Sequence, residues 1–490
     1  MKQVAIIGAG VSGLACAHRL HELHRASGTD VRVTVFESAP RIGGCVRTEA
    51  RDGFVLEKGP DSFLFDKPWV PALAERLGIA DQLLNTQSGV SNTCVVKRGR
   101  LVPMPEGFFM IAPTRWSSFA ATPLFSLAGK ARAASEMIIP PRRLDDDESV
   151  ASFIRRRFGS EMLDRVGQPL VAGIHAGDPE RLSARAAMPQ FVELERWHGS
   201  VIRGLLKTRI KRHGANASAS ASASAGPAAA RRRTMFVSFK GGMAALTDAL
   251  AARLPEGTIR LNARVSLERL SAGGWALRSR EGAAERFDAV CCAISATGAS
   301  NLLRGVDHGL SERLRQTRFE SMAVINLAYR STDFARPLRG FGFVVPAVEK
   351  RSITACTFSS QKFSGRAPAH HQLIRVFAGG ALGQRFFEMD DADLKKEVVR
   401  DLGELLGVRS APIFCDLARH ARSQPQHDVG HAAAVAGIRE SLQRLPGLHL
   451  TGSSYLGTGV SHCVQHAESE AEAIHASVLG TASRGGGKVE

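Results

Sequence analysis

The 490-residue sequence predicts an α/β fold, and three features carry that prediction. A short apolar strand, Val4 to Ile7, runs straight into a glycine-rich turn and a helix from about Ser12 to His24. A second strand, VRVTVFE over 31–37, completes the first half of a βαβ unit. Towards the other end, GLHLTGSSYLGTGVSHC (447–463) reads as a strand, a glycine-rich crossing and a helix running to about Leu479. A hydrophobic fraction of 44% and 48 glycines suit such a globular chain.

Between these ends, KGGMAALTDALAARL (240–254) places Met243, Leu246 and Leu250 on one helical face. Short alternating strands follow, including WALRSR and FDAVCCAIS. A further helix, about Ala392 to Leu406, carries Leu394, Val398, Leu402 and Leu405 at helical spacing. HGANASASASASAGPAAARRR (213–233) is low-complexity Ala/Ser and is expected to be a flexible surface loop. No run of about 18 apolar residues exists, so no transmembrane helix is expected. A cleavable signal is not expected either, because the first strand and its glycine turn begin at once.

The eight cysteines form no C-x-x-C pair and read as scattered reduced thiols. No metal-ligand spacing is found. The net charge of +17 predicts attraction to anionic surfaces. It is dispersed, with no recognition helix and no aromatic–basic RNA motif, so nucleic-acid binding is not expected.

Gly8-Ala9-Gly10-Val11-Ser12-Gly13 is a G-x-G-x-x-G between strand and helix. Gly8 permits the tight turn, Gly10 lets a pyrophosphate approach the backbone, and Gly13 allows close helix–strand packing. The phosphates would meet the free N–H groups of the helix start. Glu37 closes the second strand, where a carboxylate can hold both ribose hydroxyls, and Ser38 follows it. A dinucleotide site is therefore expected. RIGGCVRT (41–48) then resembles the R-x-G-G segment of the flavin-dependent amine oxidase superfamily, which implies FAD contacts from Arg41, Gly43 and Gly44. There is no second G-x-G-x-x-G for a nicotinamide donor, which favours reoxidation by oxygen or a quinone.

Beyond that fingerprint, LEKGPDSFL (56–64), QPLVAGIHAGDPERLSARAAMP (168–189), FVSFKGGMAALTDAL (236–250), RGFGFVVP (339–346) and TGSSYLGTGVSHC (451–463) follow one another as in the protoporphyrinogen oxidase family. The resemblance covers nearly the whole chain apart from the Ala/Ser stretch and the last dozen residues. It implies a discontinuous Rossmann-like FAD-binding domain (1–66, 236–300, 426–490), an α+β substrate domain (67–90, 301–425) and a helical membrane-binding domain (91–205), with a loop at 206–235. It implies non-covalent FAD and the removal of six electrons from a porphyrinogen in three hydride transfers to flavin N5. Oxygen is the acceptor, hydrogen peroxide the by-product, and no catalytic side-chain base is needed.

Carried over by position, Gly59, Pro60, Asp61 and Ser62 would lie along the flavin, and Val265 near the adenine. Gly452, Thr458, Gly459 and Val460 would border the N1–C2 edge, where a helix N-terminus stabilises negative charge. Phe341, Val344 and Phe377 would sandwich the substrate ring, with the backbone of Gly173 and Ala176 facing its pyrrole N–H groups. Thr93 stands where many plant and animal members have a propionate-binding arginine; Lys97, Arg98 or Arg100 could substitute or could be surface charges on a hairpin.

The segment EGFFMIAPTRWSSF (106–119), the apolar side Leu124, Leu127, Ala128, Ala131 and Ile138, and FIRRRF (153–158) suggest peripheral membrane docking. A helical subdomain with its aromatics turned inward is the competing reading. The resemblance places the chain in the cytoplasm on the inner face of the cell membrane, with a homodimer left open. The docking segment favours protoporphyrinogen IX. Coproporphyrinogen III, another oxidase of the superfamily and a non-catalytic flavin-binding protein are the alternatives.

Overall fold

The structure is a computed structural model that describes residues 2–88, 92–142, 146–208, 234–279 and 282–479. Its first sheet is parallel and runs, in spatial order, Ile259–Arg260, Val31–Phe36, Lys2–Ile7, Ala289–Cys292 and Leu448–Leu450. Strands buried on both faces need near-continuous apolar runs, which is why Val4, Ala5 and Ile6 are fully buried. One face is covered by the helices Val11–Ser27 and Val460–Val478 through Leu14, Leu20, Val464 and Ile474. The other face packs on a three-stranded antiparallel sheet through Trp275, Leu277 and Phe287. The sheet thus gathers strands from widely separated stretches of the chain.

A second, seven-stranded sheet has the order Phe414–Pro425, Phe319–Arg330, His371–Gly379, Ala355–Phe358, Gly342–Val344, Thr93–Lys97, Arg100–Pro103. All its pairings are antiparallel except that of Gly342–Val344 with Thr93–Lys97. One face carries the Asp391–Leu406 helix, seated by Leu394, Val398 and Leu402 as its spacing required. The opposite face meets a helical unit through Val95, Val344 and Ala355.

That unit contains the helices Trp116–Ala121, Leu127–Ala134, Val150–Phe158, Gln168–His175 and Pro189–His198, and another over 201–208. Its expected start at residue 91 needs correction, because Thr93–Lys97 and Arg100–Pro103 form a hairpin of the large sheet and the helices begin at Trp116. Of the expected loop 206–235, residues 209–233 lie outside the described residues.

The aromatic segment is largely turned inward. Ile111, Ala112, Phe119, Leu124 and Phe125 are buried, and Phe108 and Phe119 pack together with Phe125. Phe109 and Trp116 are exposed, and Phe108 and Met110 are half-buried. The outward apolar residues are instead Leu127, Ala128, Ala131 and Ile138, without Leu124, which is buried; Leu127 and Ile138 are 84% and 79% exposed. Among the described residues no helix is long and apolar enough to cross a membrane.

Candidate active site

Two helices start at one rim of the parallel sheet, at Gly10 and Gly459, and neither has a side-chain cap. The first N–H groups of each have no acceptor within their own helix, and the positive dipole ends reinforce them. The glycines around them are demanded by space. A Cβ on Gly13 would stand 1.8 Å from the Gly8 carbonyl oxygen, and one on Gly59 1.9 Å from that of Cys45. Gly10 differs: a Cβ there would meet nothing within 4 Å.

Glu37 is anchored by both oxygens, accepting the N–H groups of Ala9 and Ala39 at 2.8 Å each, while the Ser38 hydroxyl donates to it at 3.4 Å. The Ala9 amide is therefore committed to Glu37, which leaves Val11, Ser12 and Gly13 as the amides at the helix start. The Arg41 guanidinium donates to the Ile42 and Gly44 carbonyls at 3.0 and 2.7 Å. Together with the Gly43 N–H bond to Ala9 (2.8 Å), this clamps the Gly43–Gly44 loop on the glycine turn. Val265 opens a strand two residues after Ala263, whose N–H donates to the Glu37 carbonyl at 2.8 Å.

Several groups around this rim fit a polar ligand. Thr451 Oγ1 and Ser461 Oγ, which flank Gly452, Thr458, Gly459 and Val460, are buried without a hydrogen-bond partner.

From Gly59 to Ser62 the chain runs over a buried charge cluster that pattern reading missed. The Arg375 guanidinium donates to the Gly59 carbonyl, lies 3.3 Å from Asp61 and stacks 4.6 Å over the Phe377 ring. Lys362 donates to both Asp61 oxygens at 3.0 and 3.2 Å and to Ser62 Oγ at 3.0 Å. The Pro60 ring precedes this carboxylate and the Ser238 hydroxyl donates to the Asp61 carbonyl at 2.7 Å. Burial alone would raise the Asp61 carboxyl; Lys362 and Arg375 outweigh it and hold it well below the usual carboxylate range. Opposite Arg375 in register, Asn326 donates to the Glu57 carbonyl at 3.1 Å and leaves its own Oδ1 buried and unpartnered. A charged residue inside the apolar run LIRVF was the available signal.

Val344, Ala355 and Phe377 are successive partners across three strands and form one apolar row. Gly173 packs against it, since a Cβ there would lie 3.5 Å from Ala355 Cβ and 3.9 Å from Val344 Cγ1. Phe341 stands outside the row, edge-on to Phe236 at 6.2 Å. Ala176 ends its helix at φ 55°; its N–H donates to Ala172 at 3.0 Å and its carbonyl accepts Ala381 N–H at 2.8 Å. Only the second lone pair of that carbonyl is left for a pyrrole N–H. Thr93 pairs with Gly342, and Lys97 is spent on the Pro123 and Leu124 carbonyls at 2.5 and 2.9 Å. Arg98 and Arg100 are exposed on the hairpin.

Three histidines surround the Gly452–Tyr455 stretch and the end of the Gly173 helix. His427 and His431 stack at 3.9 Å and 13°, their Nε2–H groups donating to the Ser453 and Tyr455 carbonyls at 3.1 and 2.9 Å. Burial pulls His427 down to about 3, helped by His431, and His175 down to about 4. His431 is lowered by burial, opposed by its bond to Tyr455 and by Asp147 and Asp428. These rings stay neutral when folded, whereas the unfolded chain takes up protons near 6.5. Stability is thus unaffected above about pH 7 and falls as the pH drops from 6.5 towards 4 and 3. The urea midpoint is expected to be lower at pH 5 than at pH 7.5, and His427→Gln should flatten that slope.

The sequence profile of the family described as Flavin containing amine oxidoreductase matches residues 11–475. The chain belongs to that family. Coproporphyrinogen III oxidase of Bacillus subtilis is 32% identical, covering 94% of this chain and 96% of its own. Mitochondrial protoporphyrinogen oxidase of Nicotiana tabacum is 28% identical over 94% and 92%. The crystal structure of an Exiguobacterium protein provisionally named protoporphyrinogen oxidase superposes with a TM-score of 0.83 at 30% identity, covering 97% and 98% of the two chains. A putrescine oxidase at 17% identity and TM-score 0.65 shares the fold. The chain is a flavin-containing oxidoreductase with FAD as cofactor. The uncapped helix pair, the crowded glycines and the unpartnered Thr451 and Ser461 fit that group.

Proposed function

We propose that this enzyme oxidises a porphyrinogen to the porphyrin in tetrapyrrole synthesis, with oxygen as acceptor. The observation that carries the reading is the apolar row Val344–Ala355–Phe377 facing Gly173, with Arg375 linking Phe377 to the Gly59–Ser62 strip. A flat macrocycle suits such a slab, and the names of the relatives agree with it. Bound FAD supplies the hydride acceptor and passes the electrons to oxygen.

The protein's own task is placement. In this reading Val11, Ser12 and Gly13 meet the pyrophosphate, Glu37 the ribose, and the Gly459–Val460 helix start the pyrimidine edge of the flavin. Gly59, Pro60, Asp61 and Ser62 run beside the flavin ring. Phe377 and Val344 seat the substrate, Phe341 and Phe236 border it, and Gly173 keeps the row flat. The parallel sheet and its two helices act as the FAD domain, the seven-stranded sheet as the substrate domain.

Protoporphyrinogen IX is the first substrate reading. It is supported by the outward stripe Leu127, Ala128, Ala131 and Ile138, which we propose rests on a lipid surface. A second reading, coproporphyrinogen III, is favoured by the 32% relative's name and by the inward turn of residues 106–119. Porphyrin fluorescence should be followed with both porphyrinogens in parallel, aerobically and anaerobically. Oxygen-dependent conversion of either supports the reaction, and the ratio of kcat/KM decides the substrate. Flavin absorbance without turnover of either overturns the proposal.

A further inference from the structure

Among the described residues, three buried cations beneath the Gly59–Ser62 strip share two carboxylates. The neighbouring Lys58 is paired separately with Asp416 and Glu49. Lys362, Arg366 and Arg375 are 8%, 2% and 4% exposed. They face two carboxylates, Asp61 and Glu57, of which Glu57 lies 4.0 Å from Arg366 and Asp61 holds the other two cations. Arg366 is further fixed by the Ser238 hydroxyl at 2.8 Å and by the Phe239 and Lys240 carbonyls. The Arg375 Nε is buried with no acceptor. An uncompensated buried cation is costly, and an anion entering beside it removes the cost.

The surplus charge sits between the aromatic groups of the proposed substrate cavity. Lys362 Nζ lies 4.9 Å over Phe236, whose ring meets Phe341 edge-on, and Arg375 lies over Phe377. Phe236, Phe341 and Phe377 are only half-buried, so these faces border open space. The cations nearer the Thr93 strand are accounted for otherwise, with Lys97 tied to two carbonyls and Arg98 and Arg100 on the surface.

We propose that Lys362 binds a propionate carboxylate of the porphyrinogen, with Arg375 and Asp61 as the positioning residues that hold its ammonium beside the ring-binding aromatics. The inference rests on the porphyrinogen reading above and assigns its carboxylate site. Ser62 Oγ accepts from Lys362 while donating to Asp61 at 2.8 Å, and a substrate carboxylate can take over the Ser62 share of the ammonium without breaking the bond to Asp61. Lys362→Met leaves Asp61 paired with Arg375, so no carboxylate is stranded in the interior.

The test compares each porphyrinogen as the free acid with its fully methylated ester, both in the same detergent micelles. Wild-type enzyme should show a KM for the ester about 10- to 100-fold above that for the acid, the span of a lost charge-assisted hydrogen bond. In Lys362→Met that ratio should fall towards one, and in Lys362→Arg it should stay high. The flavin absorbance and reduction potential should match wild type in both variants. An unchanged ratio in Lys362→Met overturns the inference. So does a shifted flavin potential with the acid–ester ratio intact, because the cluster would then serve the flavin. Turnover of neither acid nor ester by wild type defeats the porphyrinogen reading itself, and the carboxylate site with it.

Discussion

Gly10→Val is expected to give a folded, colourless protein. At Gly10 the backbone is at φ −73° and ψ 178°, a conformation open to any residue, and a Cβ there would meet nothing within 4 Å. The apoprotein should therefore tolerate the side chain. The cofactor should not, because the added methyls occupy the approach to the Val11–Gly13 amides. Losing two charge-assisted N–H bonds to phosphate, at about 1.5–3 kcal/mol each, weakens FAD binding by at least about 100-fold. Gly13→Ala gives the contrast, since its Cβ would stand 1.8 Å from the Gly8 carbonyl oxygen and the turn itself must break. Circular dichroism with the flavin absorbance of the purified proteins separates the two. A yellow Gly10→Val enzyme with wild-type FAD affinity would place the pyrophosphate elsewhere.

That contrast also marks what could be read from the sequence. The glycine turn, its strand and its helix are local, and a local pattern determines a local structure: the expected helix from Ser12 to His24 is Val11–Ser27, and the strand 31–37 is Val31–Phe36. The apolar side Leu124, Leu127, Ala128, Ala131 and Ile138 is legible only in part, because the helix starts at Leu127 and Leu124 is buried ahead of it, and the direction in which the face points is not legible. Direction depends on distant partners. Phe119 and Phe125 turn inward because Phe153, Phe158 and Phe191 fill the same core. Such a core is assembled from stretches dozens of residues apart, and no window of sequence displays it. Arg375 and Lys362 escaped for a related reason. An arginine in LIRVF reads as an edge-strand charge until its partner Asp61, more than three hundred residues earlier, is seen beside it. The row Val344–Ala355–Phe377 depends on strand order, which parallel and antiparallel pairings fix only in three dimensions.

Glu136→Ala is expected to cost the helical unit about 3–5 kcal/mol, the usual effect of removing one partner from a buried ion pair. Glu136 and Arg157 are both fully buried. The Glu136 carboxylate accepts Arg157 Nε at 2.9 Å, Ser200 Oγ at 2.6 Å and the Val201 and Ile202 N–H groups at 2.8 and 3.3 Å. It thus holds Arg157 and also serves the free amides at the start of the 201–208 helix. Its removal strands the guanidinium, whose remaining partners are mainly the Ile139, Pro140 and Gly199 carbonyls and Glu195 at 3.4 Å. Glu136→Leu combined with Arg157→Met should lose much less, because no charge is left buried without a partner. The comparison belongs in urea at pH 7.5, above the range where the histidines titrate. It also bears on the lipid surface. Glu136 lies at the inner side of the segment whose outer side presents Leu127, Ala131 and Ile138, so the carboxylate fixes the stripe that we propose meets lipid. Vesicle sedimentation should therefore fall in Glu136→Ala and recover in the double variant. Equal urea midpoints for all three proteins would show that the pair does not hold the unit. Lower stability with undiminished vesicle binding would uncouple the stripe from the lipid surface.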